Sequence, residues 1–165
     1  MEKWKIKRNK GEVRKMTLYG GIVLIHVLSA VIGMGPSFVF QIIQSFGTTK
    51  QSLQLINHIL EKAEKVVMIG SILLLLTGLT MGAINPNLFS QIWYITSIIL
   101  FFIALYLSVG FAGKRTKQAV SLLEKHKGND IPNEVKMLNK SVGMAGASSA
   151  LIAVVMIFLM SVKPF

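Results

Sequence analysis

Three histidines, at positions 26, 58 and 126, are the side chains of this 165-residue chain best suited to chemistry. A neutral imidazole ligates metals and haem, and its ordinary pKa suits it to proton transfer. His26 stands apart, because it is the one readily ionisable group in the apolar run from 16 to 43, MTLYGGIVLIHVLSAVIGMGPSFVFQII. A soft second ligand is available in principle from Met34, Met68, Met81, Met144 or Met156. Other chemistries lack their parts. Cysteine is absent, which excludes disulfides, thiolate metal sites and thiol nucleophiles. No Asp or Glu falls in an apolar stretch, so neither a Ser-His-Asp arrangement nor a carboxylate relay can form at the depth of His26.

The elements that position His26 follow from the charge pattern. No Asp, Glu, Lys or Arg occurs between Lys15 and Lys50, between Lys65 and Lys114, or between Lys140 and Lys163. A helix crossing the hydrocarbon needs about 20 apolar residues. The middle interval is long enough for two crossings, parted by the turn signal Asn85-Pro86-Asn87. Four transmembrane helices are therefore expected, at about 17–43, 66–84, 90–112 and 142–162. Residues 1–16 form a basic tail, in which Trp4 and Ile6 could dip into the headgroups, and 17–165 form one membrane domain.

At about 1.5 Å per residue, His26 lies roughly 16 Å past Lys15, near mid-membrane. Steps of three and four from it reach Ser29, Ala30, Gly33 and Ser37, so the imidazole shares a face with small side chains that permit close helix packing. Pro36 has no N–H and predicts a kink beyond that face. Gly78 and Gly82 in the second span, and Gly143, Gly146, Ala147, Ala150 and Ala153 in the fourth, mark further close contacts. Ser97, Ala104 and Ser108 make a stripe on the third span that could face His26.

Outside the spans, Gly47, Thr48 and Thr49 read as a break and N-cap before an amphipathic helix, KQSLQLINHILEKAEK, that runs into the second span. The third span continues as a helix to Gly128, and a new helix starts near Pro132. The fold class is thus all-α: a polytopic four-transmembrane-helix bundle with an extramembrane helical hairpin between helices 3 and 4. His58 and His126 fall in the exposed parts and read as surface residues.

The formal charge of +11 is carried in blocks flanking the spans, without the aromatic interleaving of a base-stacking surface. Anionic lipid headgroups, not nucleic acid, are the expected partner, with a homo-oligomer left open. Seven Lys or Arg precede the first span and favour a cytoplasmic N-terminus, which with four crossings makes the C-terminus cytoplasmic too.

His26, Thr77-Gly78, Trp93 and the ending Met160-Ser161-Val162-Lys163-Pro164 together resemble the uncharacterised bacterial four-helix membrane family called domain of unknown function 2269. More distantly the pattern is similar to copper-resistance D-type domains and the J-type protoporphyrinogen oxidase, where a first-helix histidine serves haem or metal chemistry. Those resemblances imply a bacterial plasma membrane location and carry a cofactor role to His26 alone. The tryptophan and arginine of the J-type pattern are missing around Gly35-Pro36. Two readings of His26 result: an imidazole that locks helix packing, with no catalytic residue, or a ligand to haem b or copper. The second needs a partner ligand, since no other histidine lies within a span.

Overall fold

The computed structural model describes residues 10–163, so the expectation for Trp4 and Ile6 lies outside the described part. The helices are α1 (Lys10–Met34), α2 (Pro36–Ser45), α3 (Lys50–Ile84), α4 (Ile92–Leu105), α5 (Gly113–Lys125) and α6 (Asn133–Val162). Of the described residues 90% are helical, and none lies in a strand. Four stretches are long and apolar enough to cross a membrane: Leu18–Ser45, Lys50–Ile84, Ile92–Lys125 and Asn133–Val162. Only 11% to 28% of their most apolar windows is buried inside the molecule. Leu24, Leu28, Val31, Ile72, Phe102 and Leu151 point outward, as helices solvated by lipid tails require.

Each interruption has a local cause. Pro36 cannot donate to the carbonyl of Ile32, and α1 gives way to α2 there while Gly35 stays helical at φ −53°. Thr49 caps α3 with a reciprocal pair of bonds: its Oγ1 accepts from the Ser52 N–H at 3.2 Å, and its own N–H donates to Ser52 Oγ at 3.0 Å. Asn85 ends α3, and a 3-10 turn over Pro86–Ser90 leads into α4. Between α4 and α5 the helix widens to π form over Tyr106–Ala112, with the Gly113 N–H bonded to the Ser108 carbonyl five residues back. The path from Ile92 to Lys125 is otherwise unbroken.

Helices α1 and α3 pack antiparallel, and their closest approach is between glycines. A Cβ on Gly33 would lie 2.9 Å from the Ser71 nitrogen, and one on Gly70 would lie 2.7 Å from the Gly33 nitrogen. One turn below, Ala30 joins Leu74, Phe101 and Met156 in the apolar centre of the bundle. On α6 the buried face is Val142, Ala145, Ser149, Ala150, Ala153 and Met156. Of the small residues expected to pack on this helix, Ala150 and Ala153 are buried, Gly143 and Gly146 are half-buried and Ala147 is exposed. Ser149 and Met156 pack inward beside them, the former donating to the Ala104 carbonyl at 3.4 Å.

A second apolar cluster, Leu53, Ala119, Leu123 and Val135, joins the first half of α3 to α5 and the start of α6. Polar ties close this end. Lys50 Nζ donates to the carbonyls of His126 and Gly128, and Gln54 Nε2 donates to the Leu123 carbonyl at 3.3 Å. His58 meets Glu124 at 3.5 Å, and His126 Nε2 lies 2.9 Å from Asp130 Oδ1.

The Asp130 carboxyl is held below its ordinary 3.8, first by the hydrogen bond to His126, then by its own backbone and by the charges of His126 and Lys50. A carboxyl lowered in the folded state lends stability above its unfolded value and loses it as pH falls through the folded one. Amide exchange over residues 126–132, corrected for intrinsic rates, is therefore expected to hold level above 3.8 and to accelerate below it. The His126→Ala variant should show a smaller acid step, because only the backbone bond and the Lys50 charge remain; an identical step in that variant would refute the assignment.

Candidate functional site

His26 meets α3 and not the third membrane stretch. Its Nδ1 lies 2.8 Å from Thr77 Oγ1. The Thr77 hydroxyl is also 2.7 Å from the Leu73 carbonyl, one turn back in the same helix. A hydroxyl has one proton, and bonding it to Leu73 makes Nδ1–H of His26 the donor to Thr77. That tautomer leaves Nε2 with its lone pair. The ring stands over Gly78, where a Cβ would come 3.3 Å from His26 Cε1.

Gly78 and Gly82 of α3 thus have separate partners. Gly78 makes room for the imidazole, while a Cβ on Gly82 would lie 2.5 Å from the Tyr94 hydroxyl and 2.8 Å from Phe89 Cζ. Tyr94 donates its hydroxyl to the Gly78 carbonyl at 3.0 Å and packs edge-on against Phe89 and Trp93. Residues 77 and 78 therefore carry a connected set: His26 on the Thr77 side chain, Tyr94 on the Gly78 backbone. Trp93 is buried, with Lys163 Nζ 5.6 Å from its ring centroid, so the ends of α6 and α4 meet.

Of the other small residues singled out in the sequence, Ser29 is 3% exposed and donates back to the Ile25 carbonyl at 2.7 Å. Gly33 makes the contact with Gly70, and Gly143 lies in ordinary contact range of Gln44. Ser37 and Gly146 line a cavity higher in the bundle. The stripe on the third stretch divides: Ser97 donates to the Trp93 carbonyl of its own helix, while Ala104 and Ser108 face a second cavity with Gly33 and Ser37. None of these joins the hydrogen bond at His26.

Among the described residues no three His, Asp or Glu side chains converge as a metal site would require. Met34 and Met156 belong to the apolar centre, and Met68 and Met144 are exposed. The groups placed against the His26 ring are Thr77 and Gly78, so a haem or copper centre there would need a further ligand, and Met81, half-buried one turn past Thr77, is the remaining candidate among the methionines.

Sequence reasoning missed Gly70, Ser71, Glu64 and Gln44. The first two had a readable signal, since Gly70-Ser71 is a small pair inside the second apolar interval. Glu64 and Gln44 had none, because both sit at the edges of spans among other polar residues.

Replacing Thr77 by valine keeps the shape and removes the acceptor of His26. Interhelical hydrogen bonds in membrane proteins are worth about 0.6 kcal/mol on average and up to about 1.7 kcal/mol. Thr77→Val should lower unfolding stability in detergent by an amount in that range, and in a His26→Ala background it should cost measurably less. Additive costs in the double-mutant cycle would show that the pair is not coupled.

The model of the family described as predicted integral membrane protein (DUF2269) matches residues 21–164, a range that includes His26, Thr77, Gly78 and Tyr94. Neither a curated protein nor a solved structure matches the chain. A match over so much of the length places this protein in DUF2269, a family of integral membrane proteins.

Proposed function

We propose that His26 is a structural clamp: it fastens the first membrane helix to the second inside a four-helix bundle, and the polar surfaces that act on partners lie at the ends of that bundle. The observation that carries this reading is the 2.8 Å contact from His26 Nδ1 to Thr77 Oγ1. An imidazole in hydrocarbon must find a hydrogen-bond partner, and a bond between helices holds them in one register. Gly78 below the ring supports the same role, because a larger residue would lift the imidazole off Thr77.

The protein resides, on this reading, in the bacterial plasma membrane, with its basic tail against anionic headgroups. Helix α3 is about 52 Å long at 1.5 Å per residue, well beyond a ~30 Å hydrocarbon layer. Its first half carries Lys50, Glu61, Lys62, Glu64 and Lys65 and packs on α5 and the start of α6. These facts support an extramembrane cap made from that half and the α5–α6 hairpin. The seven basic residues before the first membrane stretch favour N- and C-termini in the cytoplasm and the cap on the opposite face. In the cysteine-free chain, single cysteines at Lys10 and Lys125 should react with an impermeant thiol reagent from opposite sides of sealed vesicles, the former from the cytoplasmic side.

The tautomer with a free Nε2 is also the one used by haem- and copper-ligating imidazoles, which keeps that second reading testable. Under the clamp reading, protein purified after haem-supplemented expression is colourless and free of stoichiometric copper. His26→Asn, which can still bond Thr77, should retain most of the thermal stability, and His26→Leu should lose some. A Soret band abolished by His26→Ala, or equal stability in the Asn and Leu variants, would replace the clamp with a ligand role.

A further inference from the structure

Above the apolar centre the bundle is not filled. A cavity of about 70 Å³ is lined by residues of α2, α3, α5, α6 and the π segment, including Gln44, Glu64, Ser108 and Thr116. A smaller one of about 20 Å³ continues it inward to Ser71 and Ser149. The two share Ser37, Val67 and Ser108. At 10–15 Å³ per water centre, the larger has room for about five waters and the smaller for one or two. Below them Leu74, Phe101 and Met156 close the bundle before the level of His26 is reached. The recess is therefore blind and distinct from the His26 site, with a mostly apolar wall that carries a few polar groups.

Four features mark this recess as built for a guest. Glu64 is only 18% exposed at its side chain, and its one ion-pair partner, Lys117, stands 3.6 Å away and is 57% exposed. Glycine at 113 gives the carboxylate room: a Cβ there would collide with Glu64 Oε1, lie 2.8 Å from Cδ and press on Oε2 at 3.1 Å. Gln44 Nε2, also lining the cavity, is buried without a hydrogen-bond partner. Such a donor calls for a bound water or ligand. The π turn is the fourth element, because its wider register lets Ser108, Ala112, Gly113 and Thr116 all line one cavity. Wide turns of this kind recur at functional sites.

The chemistry of the lining selects charge. Among the described residues of the wall Glu64 is the only charged side chain, and Thr116 spends its proton on the Ala112 carbonyl at 3.0 Å, leaving its oxygen to accept. A carboxylate in a low-dielectric recess attracts cations and repels anions. We propose that the recess beneath Glu64 binds a small monovalent cation, either the ammonium head of an amine or an alkali ion with part of its hydration shell. It enters from the end of the bundle where α2, α3, α5 and α6 meet, and a water between it and Gln44 completes its shell. Lys117, exposed and outside the wall, is the resident counter-ion that the guest displaces. The proposal is independent of what His26 does.

The absence of cysteine makes the test direct. Ser108→Cys places one thiol where both cavities meet, and its modification in detergent is timed with 2-aminoethyl and 2-sulfonatoethyl methanethiosulfonate, each rate divided by that with a free thiol. The cationic reagent should react at least about tenfold faster, the low end of enrichment at a focused charge. Glu64→Gln should erase the preference, and Glu64→Asp, which keeps the charge, should retain it. Methylammonium should slow the cationic reagent more than bulky N-methylglucamine at equal ionic strength. Equal slowing by potassium assigns the site to any cation of that size, and slowing by methylammonium alone assigns it to amines. An unreactive thiol in folded protein, equal rates for the two reagents, a preference that survives Glu64→Gln or is lost in Glu64→Asp, or protection by neither small cation would overturn the proposal.

Discussion

The backbones of α1 and α3 touch at Gly33 and Gly70, and the remaining contacts between these helices are set from that point. Neither residue has a side chain to hold the helices apart, and the added Cβ of either would fall within 3 Å of the other helix's backbone. Between lipid-solvated helices there is little hydrophobic drive to associate, because the tails are as apolar as the side chains they would replace. Dispersion from close backbone contact and a few interhelical hydrogen bonds must supply the association. From the glycine contact the antiparallel register follows, with Ala30 beside Leu74 and His26 beside Thr77. A larger residue at 33 or 70 would move the imidazole away from its hydroxyl.

The bundle then separates into layers of different chemistry. At one end His26, Thr77, Gly78 and Tyr94 satisfy one another across three helices. In the middle Leu74, Phe101 and Met156 form an apolar plug. Toward the other end lie Ser71, Ser149, Ser108, Thr116 and Glu64 around open space, and above them a small apolar core with Leu53, Leu123 and Val135. Asn57 is fully buried beside that core with neither amide atom bonded, one turn before Leu60 of the cavity wall. Polar groups thus concentrate where α3 leaves its most apolar stretch, which is where a membrane protein can hold water at tolerable cost.

The two irregularities in the helices serve different ends. The break at Gly35-Pro36 frees a backbone carbonyl and redirects α2 toward α6, so that Gln44 and Gly143 come into contact. The π turn at Tyr106–Ala112 keeps the helix running but shifts its face, turning Ser108 and Thr116 to the same recess. Pro36 is a visible signal. The π turn has none beyond Gly110, because a one-residue widening is compatible with the same apolar pattern as a regular helix.

The sequence by itself determined the number of long apolar helices, the break at Pro36, the cap at Thr49 and the turn at Asn85, because charge gaps, a missing N–H and local side-chain bonds act within a few residues. It also marked His26, since an imidazole in so long an uncharged run is conspicuous. Which helix His26 meets was decided by tertiary structure. Small residues line several helices, and their spacing fits Thr77 on α3 as well as Ser97 on α4; only the depth of the Gly33–Gly70 contact selects between them. The same holds for Glu64 and Gln44. One on α3 and one on α2, they read as ordinary polar residues at span edges until the packing of α5 and α6 encloses them around shared space. Periodicity fixes which residues share a face, but the pairing of faces depends on contacts far apart along the chain.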